Sequence, residues 1–200
     1  MTAMKRAIER SDVLDADAFA RQREERRAQV LALKRLRRVP VGPHATFYFE
    51  NYDTIWWQVH EMLRIEGGGE AQIVDELGAY NPLVPKGREL VATLMFEIED
   101  PVRRAAVLAE LGGAENMIRM RVGPITIAAV PEADMERTDE TGKTSAVHFL
   151  HFPFTPAAIA AFKDESQSVL LAIEHPRYWH LAALPPTTKR ALASDFAAES

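Results

Sequence analysis

The 200-residue chain contains no cysteine, which excludes disulfides, thiolate metal sites, cysteine-ligated iron–sulfur clusters and cysteine nucleophiles within it. Any metal would have to be held by His, Asp or Glu. No apolar run approaches the roughly 20 residues that cross a bilayer, and the N-terminal stretch MTAMKRAIERSDVLDADAF has charges where a signal peptide requires its apolar segment. A cytoplasmic location away from membranes is the expectation. Internal repeats and low-complexity linkers are missing, and so are several catalytic signatures. There is no Gly-x-Ser-x-Gly elbow, leaving Ser145 near His148 a weak hydrolase signal. The run Gly142-Lys143-Thr144-Ser145 lacks the glycine a P-loop needs at position 137, where Arg137 stands. His60-Glu61 lacks the second histidine of a His-Glu-x-x-His zinc motif, because position 64 is Arg64.

What is present is ordinary for a globular protein, with 47% apolar and 26% charged residues. A chain of this size can bury roughly 70% of its unfolded surface, so residues 1–200 are expected to form one domain. The net charge of −5 conceals an asymmetry: residues 1–38 hold 11 Lys/Arg against 6 Asp/Glu, the remainder 13 against 23. Residues 1–38 therefore read as a basic N-terminal helical segment. From about Asp15 to Arg38 the chain lacks Pro and Gly, which predicts a long helix stopped by Pro40. Phe19, Val30, Leu31, Leu33 and Leu36 supply its apolar stripe, and Arg21, Arg23, Arg26 and Arg27 are expected on a solvated face. Without interleaved aromatics, and with Glu24 and Glu25 among them, these cations argue against nucleic-acid binding. Lys34, Arg35, Arg37 and Arg38 form a tighter cluster able to face an anion or an acidic site.

Strands are predicted at Ala45–Glu50, Leu90–Glu99, Met117–Val122, Ile125–Val130, Ser145–Phe152 and Ser168–Glu174, with a short strand or turn at Tyr178–Leu181. Helices are predicted at about 51–66, 70–77, 101–111 and 156–163 and from Thr187 onward, with a loop from Tyr80 to Arg88 and a polar, exposed stretch from Pro131 to Thr144. Gly123-Pro124 marks a hairpin. With no sustained βαβ rhythm, the fold class is α+β: an antiparallel or mixed sheet with helices packed on it.

The densest chemistry lies in FYFENYDTIWWQVHEMLRIE, residues 47–66. At 100° per residue, Tyr52, Trp56, Val59 and Leu63 form the stripe expected to enter the core. Thr54, Trp57, Gln58, Glu61 and Arg64 gather opposite. Their three-residue spacings let Gln58, Glu61 and Arg64 touch, and a carboxylate so held has a depressed pKa suited to a metal or a cationic group. The alternative is an ordinary surface pair worth a few tenths of a kcal/mol. Trp57 implies that something covers this face. His148 lies in a strongly apolar strand, where a satisfied core histidine is one reading. If it and Glu97 approached Glu61, the three would suit iron, manganese or zinc.

The blocks KRLRRVPVGP, FYFENYDTIWWQVHEMLRIE, ELGAYNPLVP, ELVATLMFEIED and KTSAVHFLHF occur in that order, and the chain resembles an uncharacterised bacterial family, domain of unknown function 3501. The resemblance implies an association with rubrerythrin-type di-iron proteins and iron–sulfur oxidoreductase subunits. Its matching blocks contain Glu61, Arg64, Glu97 and His148 and add Tyr80 and Asn81. The expectation is a cytoplasmic accessory protein of a redox or metal-handling system. Gln58, Glu61, Arg64, Tyr80 and Asn81 form its candidate pocket for a metal or anion, and Glu61, Glu97 and His148 are the candidate metal ligands. The rival is a non-catalytic subunit that docks onto an oxidoreductase through Trp57 and the basic head.

Overall fold

The computed structural model describes residues 5–132 and 143–197. In chain order its helices are α1 (Ala16–Leu36), α2 (Tyr52–Glu66), α3 (Gly69–Tyr80), α4 (Pro101–Ala109), α5 (Pro156–Lys163) and α6 (Pro186–Ala193). The strands are β1 (Arg38–Val41), β2 (Ala45–Glu50), β3 (Glu89–Phe96), β4 (Ile118–Val122), β5 (Ile125–Ala128), β6 (Val130–Pro131), β7 (Val147–Pro153), β8 (Val169–His175) and β9 (Tyr178–Ala183). They form two antiparallel sheets, one in the order β1-β2-β3-β7-β6 and the other β5-β4-β8-β9. The expected α+β class holds, with two sheets where one was anticipated. Most of the polar stretch expected from Pro131 to Thr144 lies outside the described residues.

Strand periodicity explains the layering, because successive side chains leave a strand on opposite faces. Leu90, Ala92, Leu94 and Phe96 of β3 join Phe47, Phe49, Leu150 and Phe152 in the large core shared with Ile118, Met120, Leu171 and Ile173 of the second sheet. Val91 belongs to a separate core under the helices, with Ile55, Trp56, Val59, Phe19 and Leu83. The first sheet is therefore buried on both faces, and its helix-side face carries the polar residues Tyr48, Glu50 and Thr93.

Helix α2 begins with a reciprocal cap: the Asn51 side chain accepts from the Thr54 N–H at 3.0 Å, and Thr54 Oγ1 accepts from the Asn51 N–H at 2.9 Å. It ends at Gly67, whose φ of +66° suits glycine. Its buried residues are Thr54, Ile55, Trp56, Val59 and His60, a wider face than the single stripe expected. The reason is α1, which packs along the side away from the sheet. Phe19 meets Trp56, Trp57 and His60 with ring centroids 6.0, 5.7 and 5.0 Å apart, so the cover that Trp57 implied is the chain's own first helix.

The stripe expected on α1 is only partly buried: Phe19 and Val30 are, whereas Leu31 and Leu36 are 48% and 46% exposed. The line toward α2 runs through Phe19, Arg23, Arg26 and Val30 instead, with Arg26 5.0 Å from the Trp56 ring. An arginine stem can cover an aromatic face while its head stays wet. Strand β1 was not anticipated because Pro40 reads as a helix stop. At a sheet edge its missing N–H is tolerated, and here it pairs with Thr46. Helix α3 runs three residues beyond its predicted end, and a short 3-10 turn at Asn81–Leu83 replaces part of the predicted loop.

Candidate functional site: a pocket between the helices and the first sheet

Tyr48 and Glu50 leave β2 on the same face as Thr93 and Met95 of β3 and Val147 and Phe149 of β7. Thr54, Ile55 and Gln58 of α2, Lys34 of α1, Tyr80 and Leu83 close around them. The half-open space they line is about 280 Å³. At its wall lies Glu50, only 9% exposed. Its two carboxylate oxygens accept from Thr54 Oγ1 at 2.6 Å and Thr93 Oγ1 at 2.8 Å.

The Glu50 backbone is fixed from behind by Arg37, itself 1% exposed. Arg37 Nε donates to the Phe49 carbonyl at 2.9 Å, Nη2 to the Glu50 carbonyl at 3.0 Å and Nη1 to the Ala191 carbonyl at 3.2 Å, and Nη2 also pairs with Asp195. Burial pushes the Asp195 carboxyl above its ordinary range, against the pull of Arg37. On another wall Tyr80 hydrogen-bonds Gln58, and burial raises its phenol pKa.

Near Tyr48, Glu97 gathers hydrogen bonds from the Tyr48 hydroxyl at 2.5 Å and Thr46 Oγ1 at 2.7 Å, with Arg38 at 3.6 Å. Desolvation opposes these contacts, but together they hold Glu97 below its ordinary pKa.

Of the sequence-predicted pocket residues, Gln58 and Tyr80 meet here. The others do not. Glu61 faces α1, where Arg23 grips both oxygens at 2.8 and 3.0 Å and Arg64 adds contacts of 3.3 Å. Chiefly through Arg23, its pKa is brought down to about 2. Asn81 spends its amide on the backbone of Ile8, accepting from the N–H at 2.7 Å and donating to the carbonyl at 3.0 Å.

The anticipated meeting of Glu61, Glu97 and His148 does not occur, because strand alternation sends His148 to the other side of the sheet. There it is fully buried, edge-on to Phe96 at 6.0 Å, with Nε2 2.9 Å from the Ser145 carbonyl and 3.2 Å from Thr144 Oγ1. Among the described residues no three His, Asp or Glu side chains gather as a metal site would.

Glu50 and Thr93 are the site residues that the sequence reading missed. Their signal is period two: Thr46, Tyr48 and Glu50 alternate with Ala45, Phe47 and Phe49 on β2, as the two faces of β3 do.

Larger cavities lie elsewhere, and in two of them a buried polar side chain is already committed. In one of about 490 Å³ beside α5 and α6, Lys189 donates to the carbonyls of Asp164 and Gln167 at 2.5 and 2.6 Å. In one of about 400 Å³ between α1 and α3, His60 Nε2 accepts from the Leu14 N–H at 3.0 Å while Nδ1 lies 2.7 Å from the Trp56 carbonyl. Desolvation lowers the His60 pKa.

Fold and site together define a two-sheet α+β domain with a small, mainly apolar pocket that carries a buried carboxylate beneath a helical layer. The chain belongs to the family described as protein of unknown function (DUF3501), whose model matches residues 7–196. A solved structure, a novel protein of unknown function from Burkholderia pseudomallei K96243, is 39% identical and superposes with a TM-score of 0.88 over 96% of this chain and 100% of its own. No curated protein matches significantly. No helix among the described residues is long and apolar enough to cross a membrane.

Proposed function

We propose that the protein is a cytoplasmic ligand-binding accessory protein whose small-molecule ligand occupies the pocket between α2 and the first sheet. The observation supporting this is Glu50, a buried carboxylate on a cavity wall with hydroxyls as its side-chain partners. At about 280 Å³ the space lies near the lower end of small-molecule sites, roughly 300–1,000 Å³, which favours a compact ligand. A carboxylate wall favours hydrogen-bond donors and cations over the anion first expected.

The redox or metal-handling setting rests on the family resemblance, with rubrerythrin-type and iron–sulfur proteins as the partners it implies. With Glu61 held by Arg23 and Arg64 and apart from His148, no metal is proposed at Glu61, Glu97 and His148.

A thermal-shift screen of a chemically diverse small-molecule library tests the pocket. A ligand at 100 times its dissociation constant stabilises by about 2.7 kcal/mol, and the expected hits lose their effect in Met95→Trp, which fills the pocket from a partly exposed position. A library without a Met95-dependent hit overturns the reading. The second reading, docking onto a partner protein, is favoured by Trp179 and Leu181, 64% and 53% exposed on β9. It predicts a co-purifying partner lost on Trp179→Ala and unaffected by Met95→Trp.

A further inference from the structure

We infer that the pocket ligand is a small zwitterion, an amine-bearing carboxylic acid of amino-acid size, with its ammonium on Glu50 and its carboxylate on Lys34. This deepens the pocket reading and rests on it. Buried glutamates are almost always paired with a counter-charge, yet among the described residues Glu50 has two threonine hydroxyls and no cation within ion-pair distance. Those hydroxyls use two of roughly four acceptor sites on the carboxylate. What remains is acceptor capacity facing a cavity, which an ammonium with three N–H donors can fill.

Lys34 supplies the opposite charge. It lines the same cavity, is half-buried, and enters no ion pair among the described residues. The neighbouring cations are occupied: Arg38 sits beside Glu97 and over the Tyr48 ring, 5.6 Å from its centroid. Arg37 is spent on Asp195 and three carbonyls. The same lining includes Ile55, Met95, Val147 and Phe149, which suits an aliphatic or aromatic side chain. The pocket thus pairs one donor-seeking group, one acceptor-seeking group and an apolar wall, the three features of a free amino acid with an apolar side chain.

Isothermal titration of the full chain with L-leucine, L-methionine and L-phenylalanine, and with two truncated analogues of leucine, tests the inference. Isoamylamine lacks the carboxylate and 4-methylpentanoate lacks the ammonium. The expected result is binding of at least one amino acid, with each truncation weakening it at least about tenfold, the scale of a lost charged hydrogen bond. Glu50→Gln abolishes binding of the amino acid. Lys34→Met weakens the amino acid until it binds no better than the amine, while leaving isoamylamine unchanged. Far-ultraviolet circular dichroism and melting temperature identify variants that fail to fold. Met95→Trp, which leaves both charges in place, gives an independent loss.

If isoamylamine binds as tightly as leucine, the role of Lys34 falls. If 4-methylpentanoate does, the role of Glu50 falls. If none of the amino acids binds while the library screen yields Met95-dependent hits, the zwitterion inference fails and the pocket reading survives. If neither experiment yields a ligand, both fail together.

Discussion

Replacing Arg37 by alanine should be among the most damaging single changes in the molecule. The guanidinium is 1% exposed and makes hydrogen bonds to the carbonyls of Phe49, Glu50 and Ala191 as well as its pair with Asp195. Removing one member of a buried ion pair leaves an uncompensated charge and costs about 3–5 kcal/mol. In a domain of 150–250 residues each kcal/mol moves the melting temperature by about 2–4 °C, so the expected fall is roughly 6–20 °C by circular dichroism or calorimetry.

The pH dependence provides a second signature. Asp195 has a folded pKa raised above its unfolded value. Its titration therefore favours the folded state below the unfolded pKa, and that contribution is lost as pH rises through the folded pKa. Arg37 opposes the rise, so Arg37→Ala enlarges it, and the variant should be less destabilised at pH 4 than at pH 8. Replacing both members by apolar residues, Arg37→Met with Asp195→Leu, should recover part of the loss. A fall below about 3 °C for Arg37→Ala, or equal destabilisation at the two pH values, would refute the assignment of a buried, mutually dependent pair.

Glu61, brought down to about 2 by Arg23 and Arg64, contributes stability above its unfolded pKa that is lost as pH falls from about 4.5 toward 2. Because the pair is partly exposed, Glu61→Gln should remove about 1 kcal/mol at neutral pH and progressively less as pH falls through about 2, as read by urea unfolding. His151, 2.9 Å from Glu89 and 3.9 Å from Glu132, has a raised pKa, chiefly through Glu89. Its stabilisation is complete below the unfolded value and lost as pH rises through the folded one, and an NMR titration of His151→Gln should lack the corresponding high-pKa histidine. Gly42 has a φ of +72°, and a Cβ there would lie 2.6 Å from the His180 ring, so Gly42→Ala should destabilise by about 1–3 kcal/mol. Gly78 sits in α3 with open space around it, and Gly78→Ala should stabilise by about 0.5–1 kcal/mol; matched thermal melts compare the two.

Much of this architecture could be read before any coordinates. The helix Pro156–Lys163 matches its predicted bounds, the Gly123-Pro124 hairpin joins β4 to β5, and the two faces of β3 separate as the alternation demands. Local spacing determines such features, so a linear reading finds them. The site was harder because it is assembled from five parts of the chain. Glu61 and Arg64 were paired correctly as helix neighbours, but only the path of α1 brings Arg23 onto Glu61 and commits that carboxylate to structure. Conversely, the alternation of β2 places Glu50 on a face but does not by itself mark it as a site residue. Its significance comes from Thr93, 43 residues away, and from a helix laid over the strand. Gln58 follows from the helical period of α2 and Tyr80 from the family resemblance, and they meet because α3 folds back against α2.

The Tyr178 hydroxyl accepts from the N–H groups of His44 and Ala45 at 2.8 and 2.9 Å, and it lies 2.9 Å from the Val41 carbonyl. It thereby ties the turn after β1 to the first residue of β9. These two strands are the borders of their respective sheets, where unpaired backbone groups invite another molecule to add a strand. Pro40 lacks a donor, which removes one backbone group from the open side of β1. One phenol thus pins the hairpin of one sheet to the border strand of the other, and Pro40 blunts the open edge beside it.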